Sequence, residues 1–117
     1  MGNHFVRVIE KSSFEDIAVR SKAQPVVIFK RSLTCPISAA AYDQMEEFAG
    51  EVTLVEVQRA RELSREIELR LGVAHESPQV IVLHNGQVVW NASHFSITVD
   101  AVNKAVSEAD GKRSADA

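Results

Sequence analysis

The chain has a single cysteine, Cys35, among 117 residues, and one cysteine cannot close an intramolecular disulfide. That excludes a small secreted scaffold stapled by disulfides and fits a reducing compartment. No apolar run approaches the roughly 20 residues that span a bilayer, and the amino terminus shows no apolar signal-peptide core. A cytoplasmic protein without a membrane partner is therefore expected. The net charge is −3 with both signs interspersed, which leaves no broad basic footprint for nucleic acid. His75, His84 and His94 stand at no recognised metal-ligand spacing, so no metal is expected.

What is present is an ordinary globular composition, 45% apolar and 25% charged, in a length suited to one core. Phe5 to Ile9 reads as a first strand. Ser12 with Glu15 three residues on forms a capping-box pattern, opening a helix that turns Phe14, Ile17 and Ala18 inward. Pro25 ends that helix, and Val26 to Phe29 is a continuous apolar run of the kind buried on both faces of a sheet. Ile37, Ala41, Met45 and Phe48 then recur at helical spacing until Gly50. Val52 to Val57 reads as a second central strand. A charged helix carrying Leu63, Ile67 and Leu71 follows, ends at Gly72, and sets Glu66 four residues before Arg70. Val80 to Leu83 and Gln87 to Trp90 flank Asn85-Gly86, a strong hairpin signal. Thr98 caps a last helix with Val99, Val102 and Val106 inward. The order is βαβαβαββα, which predicts an α/β, thioredoxin-like fold: three layers, α/β/α, around a mixed central sheet. One domain is expected over residues 1–109, with a frayed tail over 110–117.

The chemistry concentrates at Lys30-Arg31-Ser32-Leu33-Thr34-Cys35-Pro36-Ile37-Ser38, the junction between the first central strand and its helix. A cysteine at a helix start faces backbone N–H groups that have no intrahelical partner. Those groups and the positive end of the helix favour the thiolate and lower its pKa. Pro36 suits the first helical position, where a missing N–H costs little. Ser38, one turn on, is placed to donate its hydroxyl to sulfur, although a local backbone bond is the plainer role for such a residue. Lys30 and Arg31 add positive charge that would stabilise a thiolate, against the plainer reading of a solvated strand end. A lone cytosolic cysteine is usually a small buried hydrophobe; the strand before Cys35 and the proline after it argue for a reactive thiol instead.

Ser77-Pro78 is the second informative feature. X–Pro bonds adopt cis at modest cost, and in a thioredoxin-like layout the turn before this strand lies beside the cysteine. The backbone of Ser77 would then pair, strand-like, with a disulfide-bearing substrate segment. An ordinary trans loop proline is the alternative.

These motifs resemble the bacilliredoxin family, the monothiol thioredoxin-like proteins of the bacillithiol system with the motif Thr-Cys-Pro-Ile-Ser. The resemblance rests on Thr34 to Tyr42, Gln58 to Leu63, His75-Glu76-Ser77-Pro78-Gln79 and Ser93-His94. It implies a reductase of mixed disulfides between proteins and bacillithiol. Cys35 is then the nucleophile and Pro78 a cis proline, with Thr34, Pro36, Ile37, Ser38, Ser77 and Arg31 around the substrate or the thiolate. Bacillithiol is the implied co-substrate, no cofactor is tightly bound, and bacillithiolated client proteins and a low-molecular-weight thiol are the partners. Arg31 departs from the pattern, standing where histidine is expected in close relatives. Two other classes remain open: a non-enzymatic module that docks clients or an iron–sulfur cluster, and a sensor capped at Cys35 without turnover. Against the cluster, Pro36-Ile37 replaces the Gly-Phe of monothiol glutaredoxins.

Overall fold

The computed structural model describes residues 4–116, with side chains from 4 to 111. Five strands and four helices follow one another as β1 (Phe5–Arg7), α1 (Ser13–Ala23), β2 (Val26–Arg31), α2 (Pro36–Glu46), β3 (Val52–Glu56), α3 (Arg61–Leu71), β4 (Gln79–His84), β5 (Gln87–Ser93) and α4 (Val99–Asp116), with a short 3-10 turn over His94–Ser96. The strands form one mixed sheet in the order β1-β3-β2-β4-β5. β1 and β2 both pair with β3 in parallel, whereas β2–β4 and β4–β5 are antiparallel. This is the thioredoxin-like α/β architecture that the element order predicts.

The sheet has two apolar faces because its central strands are apolar at both odd and even positions. Val27, Phe29, Val80 and Val82 pack with Ala41 and Met45 of α2 and Val102 of α4. Val26, Ile28, Ile81 and Leu83 pack with Phe14 and Ile17 of α1 and Leu63 and Ile67 of α3. Each pair of helices therefore buries one face of the same strands. Edge strand β5 alternates between exposed and half-buried residues, as a strand covered on one side should.

Local signals explain most element boundaries. Gly72 caps α3 in the left-handed region at φ 70° and donates its N–H to the Glu68 carbonyl. Arg70 reaches both Glu66 and Glu15 at 3.0 Å. Thr98 Oγ1 accepts the Ala101 N–H at 3.2 Å, capping α4. Asn85 and Gly86, at φ 55° and 75°, take the two positive-φ positions of a type I′ hairpin turn.

Three expectations are corrected. Ser12 already has helical backbone angles and makes no side-chain cap; the turn through Glu10 and Lys11 receives the first amides of α1 instead. β1 stops at Arg7, short of Ile9, with the Val8 N–H still donating to the Leu54 carbonyl at 3.0 Å. In α2 the inward row is Ser38, Ala41 and Met45, with Ile37 half-buried beside it and Phe48 buried just beyond the helix. Helix α4 runs to Asp116; no proline stops it, and Gly111 alone costs a helix only about 1 kcal/mol. Residue 117 lies outside the described residues.

Gly86 offers a clean test of the hairpin. A Cβ there would meet no atom within 4 Å, so Gly86→Ala changes only backbone preference. The left-handed conformation should cost about 1–2 kcal/mol, read as a lower urea midpoint with an unchanged m-value. An unchanged midpoint would show that the turn does not hold its conformation in solution.

Candidate active site

Cys35 occupies the half-in position before α2, with extended backbone angles (φ −95°, ψ 125°) and Pro36 as the first helical residue. Its carbonyl accepts the Ala39 N–H at 3.1 Å, the first intrahelical bond. The side chain is partly exposed. The amides of Ser38 and Ile37 then fall among the helix's unpartnered donors. No side-chain cap bond of strict geometry forms to sulfur, yet these two amides lie close enough to pull the thiol below its usual pKa. The Ser38 amide acts most strongly, followed by that of Ile37; desolvation opposes them, and the Ser38 hydroxyl adds to the lowering. Stabilisation of the thiolate thus comes from the local turn.

Ser38 is fully buried, and its Oγ accepts the Ser32 N–H at 3.0 Å. Accepting that bond leaves the hydroxyl proton available to the sulfur side. The loop between β2 and Cys35 is held from a second direction by Gln58, which follows β3. Gln58 Oε1 accepts the Leu33 N–H at 2.9 Å, and its Nε2 donates to Ser32 Oγ at 2.8 Å. Thr34 donates its N–H to Ser32 Oγ at 3.3 Å. Gln58 stands in a segment that carries the family resemblance, but only the fold shows that it clamps the loop leading to Cys35.

The other predicted residues fall into place unevenly. The Ser77-Pro78 peptide is cis. The antiparallel register sets Lys30 opposite Gln79, so one residue further along, Arg31 faces Pro78 at the sheet end that carries Cys35. The Pro78 carbonyl accepts the His94 N–H at 3.1 Å, tying the 3-10 turn to this loop. Ser77 Oγ is buried without a hydrogen-bond partner. Thr34 and Pro36 are exposed on the rim. Arg31, by contrast, lays its guanidinium over the Tyr42 ring, 4.4 Å from the centroid, and is not among the groups that lower the Cys35 pKa.

Lys30 is no solvated strand end. It is fully buried, because β2 turns Val26, Ile28 and Lys30 toward α1 and α3 and Arg31 the opposite way. Its Nζ donates to Gln79 Oε1 at 3.1 Å. Desolvation pulls its pKa down to about 8, against the opposing pull of Glu68 and Glu76. Burial, and then the Lys30 charge, lower the pKa of His75. Lys30 likewise is not among the groups acting on Cys35: it lies beneath the site as part of a separate polar cluster.

A cysteine at the helix start with a cis proline across the sheet is the arrangement to which the comparisons speak. The family profile described as monothiol bacilliredoxin BrxC matches residues 7–102. The chain belongs to the monothiol bacilliredoxin family. A solved structure described as a proposed oxidoreductase with a thioredoxin fold is 36% identical, with a TM-score of 0.79 over 86% of this chain and 92% of that one. Fasciola hepatica thioredoxin superposes with a TM-score of 0.70 at 13% identity, covering 88% of this chain and 97% of its own. The short form of spinach chloroplast thioredoxin f gives 0.66 at 20% identity, over 91% and 93%. The last two show the fold alone. Family and fold together support a thiol redox function for this bacilliredoxin. No helix among the described residues is long and apolar enough to cross a membrane.

Two measurements test this electrostatic picture. Since the folded site depresses the Cys35 pKa, thiolate should form at lower pH than in a free thiol. Ser38→Ala, which keeps the amide and lacks only the hydroxyl, should move the midpoint of iodoacetamide reactivity slightly to higher pH; an unmoved midpoint would remove the Ser38 hydroxyl from the thiolate's environment. For Lys30, folding depresses the pKa of a base, so the unfolded chain binds more protons between about 8 and the usual 10.5. Stability should therefore rise with pH across that window relative to Lys30→Met. Parallel urea midpoints for the two proteins would place the Lys30 amine in water.

Proposed function

We propose that the chain is a monothiol thiol–disulfide oxidoreductase that removes bacillithiol from mixed disulfides on cytoplasmic client proteins. The observation that carries the reading is Cys35 itself, a partly exposed thiol with a lowered pKa at the start of α2, in a chain of the bacilliredoxin family. The Cys35 thiolate attacks the bacillithiol sulfur of the mixed disulfide. The Cys35–bacillithiol bond forms as the old disulfide breaks, and the client leaves as a thiolate that takes a proton from water. A pKa drawn toward ambient pH raises the thiolate fraction while keeping the sulfur nucleophilic.

Resolution needs an external thiol, because Ser38 stands where a second cysteine would and the sequence holds no other. A low-molecular-weight thiol or a second protein thiol attacks the Cys35–bacillithiol disulfide, supplies the two electrons and returns Cys35 to the thiol. Bacillithiol is in this scheme a co-substrate, and no bound cofactor takes part. The backbone at Ser77, just before β4, pairs with the extended client segment that carries the disulfide. Thr34, Pro36 and Ile37 form the rim against which that segment rests.

Intact-mass spectrometry on the protein mixed with a bacillithiolated client tests the first step. One bacillithiol adduct should appear on Cys35 as free client thiol is released, and Cys35→Ser should acquire none. Client reduction at the wild-type rate by Cys35→Ser would overturn the assignment.

A further inference from the structure

A cleft of about 380 Å³ opens beside the nucleophile's loop, bounded by Gln58, Arg61, Ser64, Arg65, Glu68 and His75. Its volume falls within the roughly 300–1,000 Å³ of small-molecule sites. Gln58 belongs to both structures: it lines the cleft and holds the Ser32 and Leu33 positions of the loop that leads to Cys35. At the far wall, His75 begins the His75-Glu76-Ser77 approach to the cis proline. The cleft thus lies against both segments that frame the thiol.

Its walls are built for an anion. Arg61 and Arg65, one turn apart on α3, both face it and have no carboxylate partner among the described residues. On the other side of the same helix, Arg70 is paired twice, with Glu15 and Glu66. Arg61 is also the first residue of α3, which has no side-chain cap, so the positive end of the helix adds to the same wall. Glu68 is the one carboxylate in the lining. Its Oε2 accepts the His75 N–H at 3.2 Å, and its charge acts on buried Lys30, so the opposing charge is engaged away from the arginines. Ser64 Oγ, 3.4 Å from His75 Nδ1, supplies a neutral polar contact.

We infer that this cleft is the subsite for the carboxylate-bearing head of the small thiol whose sulfur reaches Cys35. Guanidinium groups grip carboxylates through paired, charge-assisted bonds. Bacillithiol carries its two carboxylates on a malate unit joined through glucosamine to the cysteine. That separates the charged head from the reacting sulfur, as the cleft is separated from Cys35 by the Gln58-bound loop. The inference rests on the proposed reaction for its choice of ligand, and the subsite gives that reaction its selectivity for the capping group.

The test compares one model peptide capped by bacillithiol or by 2-mercaptoethanol, an uncharged thiol that forms the same kind of disulfide. In the Arg61→Ala, Arg65→Ala double variant, the kcat/KM preference for the bacillithiol cap should fall about tenfold, the equivalent of two screened charge contacts. The loss should appear mainly in KM and shrink at high salt. An unchanged preference would overturn the subsite. A binding experiment separates this from failure of the reductase reading. In Cys35→Ser, L-malate should shift the amide resonances of Gln58, Arg61 and Arg65 and leave those of β5 in place. If the wild type reduces neither peptide but malate still shifts those amides, the reaction falls and the anion subsite stands. Shifts absent from α3 would overturn the subsite.

Discussion

The antiparallel pairing of β2 with β4 is the constraint on which the rest of the site depends. It sets Lys30 opposite Gln79, and from that register follow the position of Pro78 across from Arg31, the burial of Lys30 and the proximity of the loop before β4 to the start of α2. A strand shifted by one residue turns every side chain to the other face. Here such a slip would put the Lys30 amine among Tyr42 and the α2 side chains, and bring Arg31 under α3. The apolar residues on both faces of β2 and β4 oppose a slip less sharply than alternating strands would. The Lys30–Gln79 hydrogen bond at 3.1 Å is a polar contact that only one register makes. An isolated buried amine is costly, and Gln79, with Glu68 and Glu76 in electrostatic reach, is what makes this one tolerable.

Above that pairing, the thiol is governed by very local forces. The amides of Ser38 and Ile37 and the Ser38 hydroxyl all belong to the first turn of α2. The loop that presents Cys35 is fixed by bonds to Ser38 and Gln58. Two nearby cations, which simple charge counting would assign to the thiolate, are committed elsewhere: Arg31 to the face of Tyr42 and Lys30 to Gln79. Reactivity of the sulfur and stability of the surrounding strands are thereby largely separated. The lowered thiol pKa needs only an intact helix start, whereas the buried amine links folding to pH on the opposite face of the sheet.

Much of this was legible in the residues because it arises from short-range rules. Pro36 after Cys35, Asn85-Gly86, Gly72 and Thr98 each impose a local backbone geometry, and the structure adopts it at each position. Ser12 misled because a neighbouring turn supplied the acceptors that its hydroxyl would otherwise have replaced. Ser38, not Ile37, takes the innermost place in the first turn of α2, because helical spacing alone cannot say which of two adjacent rows meets the sheet. Gln58 lies 25 and 26 residues from its two partners in the thiol loop, a separation at which no sequence pattern indicates contact.

The sequence by itself determined the succession of elements, the placement of its one cysteine at a helix start and the lack of a second cysteine beside it, since these follow from composition and local propensity. Tertiary structure alone decided where the charges went. Whether a lysine at a strand end is solvated or buried depends on which face the strand turns to a helix. Whether an arginine serves a thiolate, an aromatic ring or an open cleft depends on what long-range packing brings beside it. Electrostatic partners are chosen by distance in space, and distance in space is the one quantity that the order of residues does not carry.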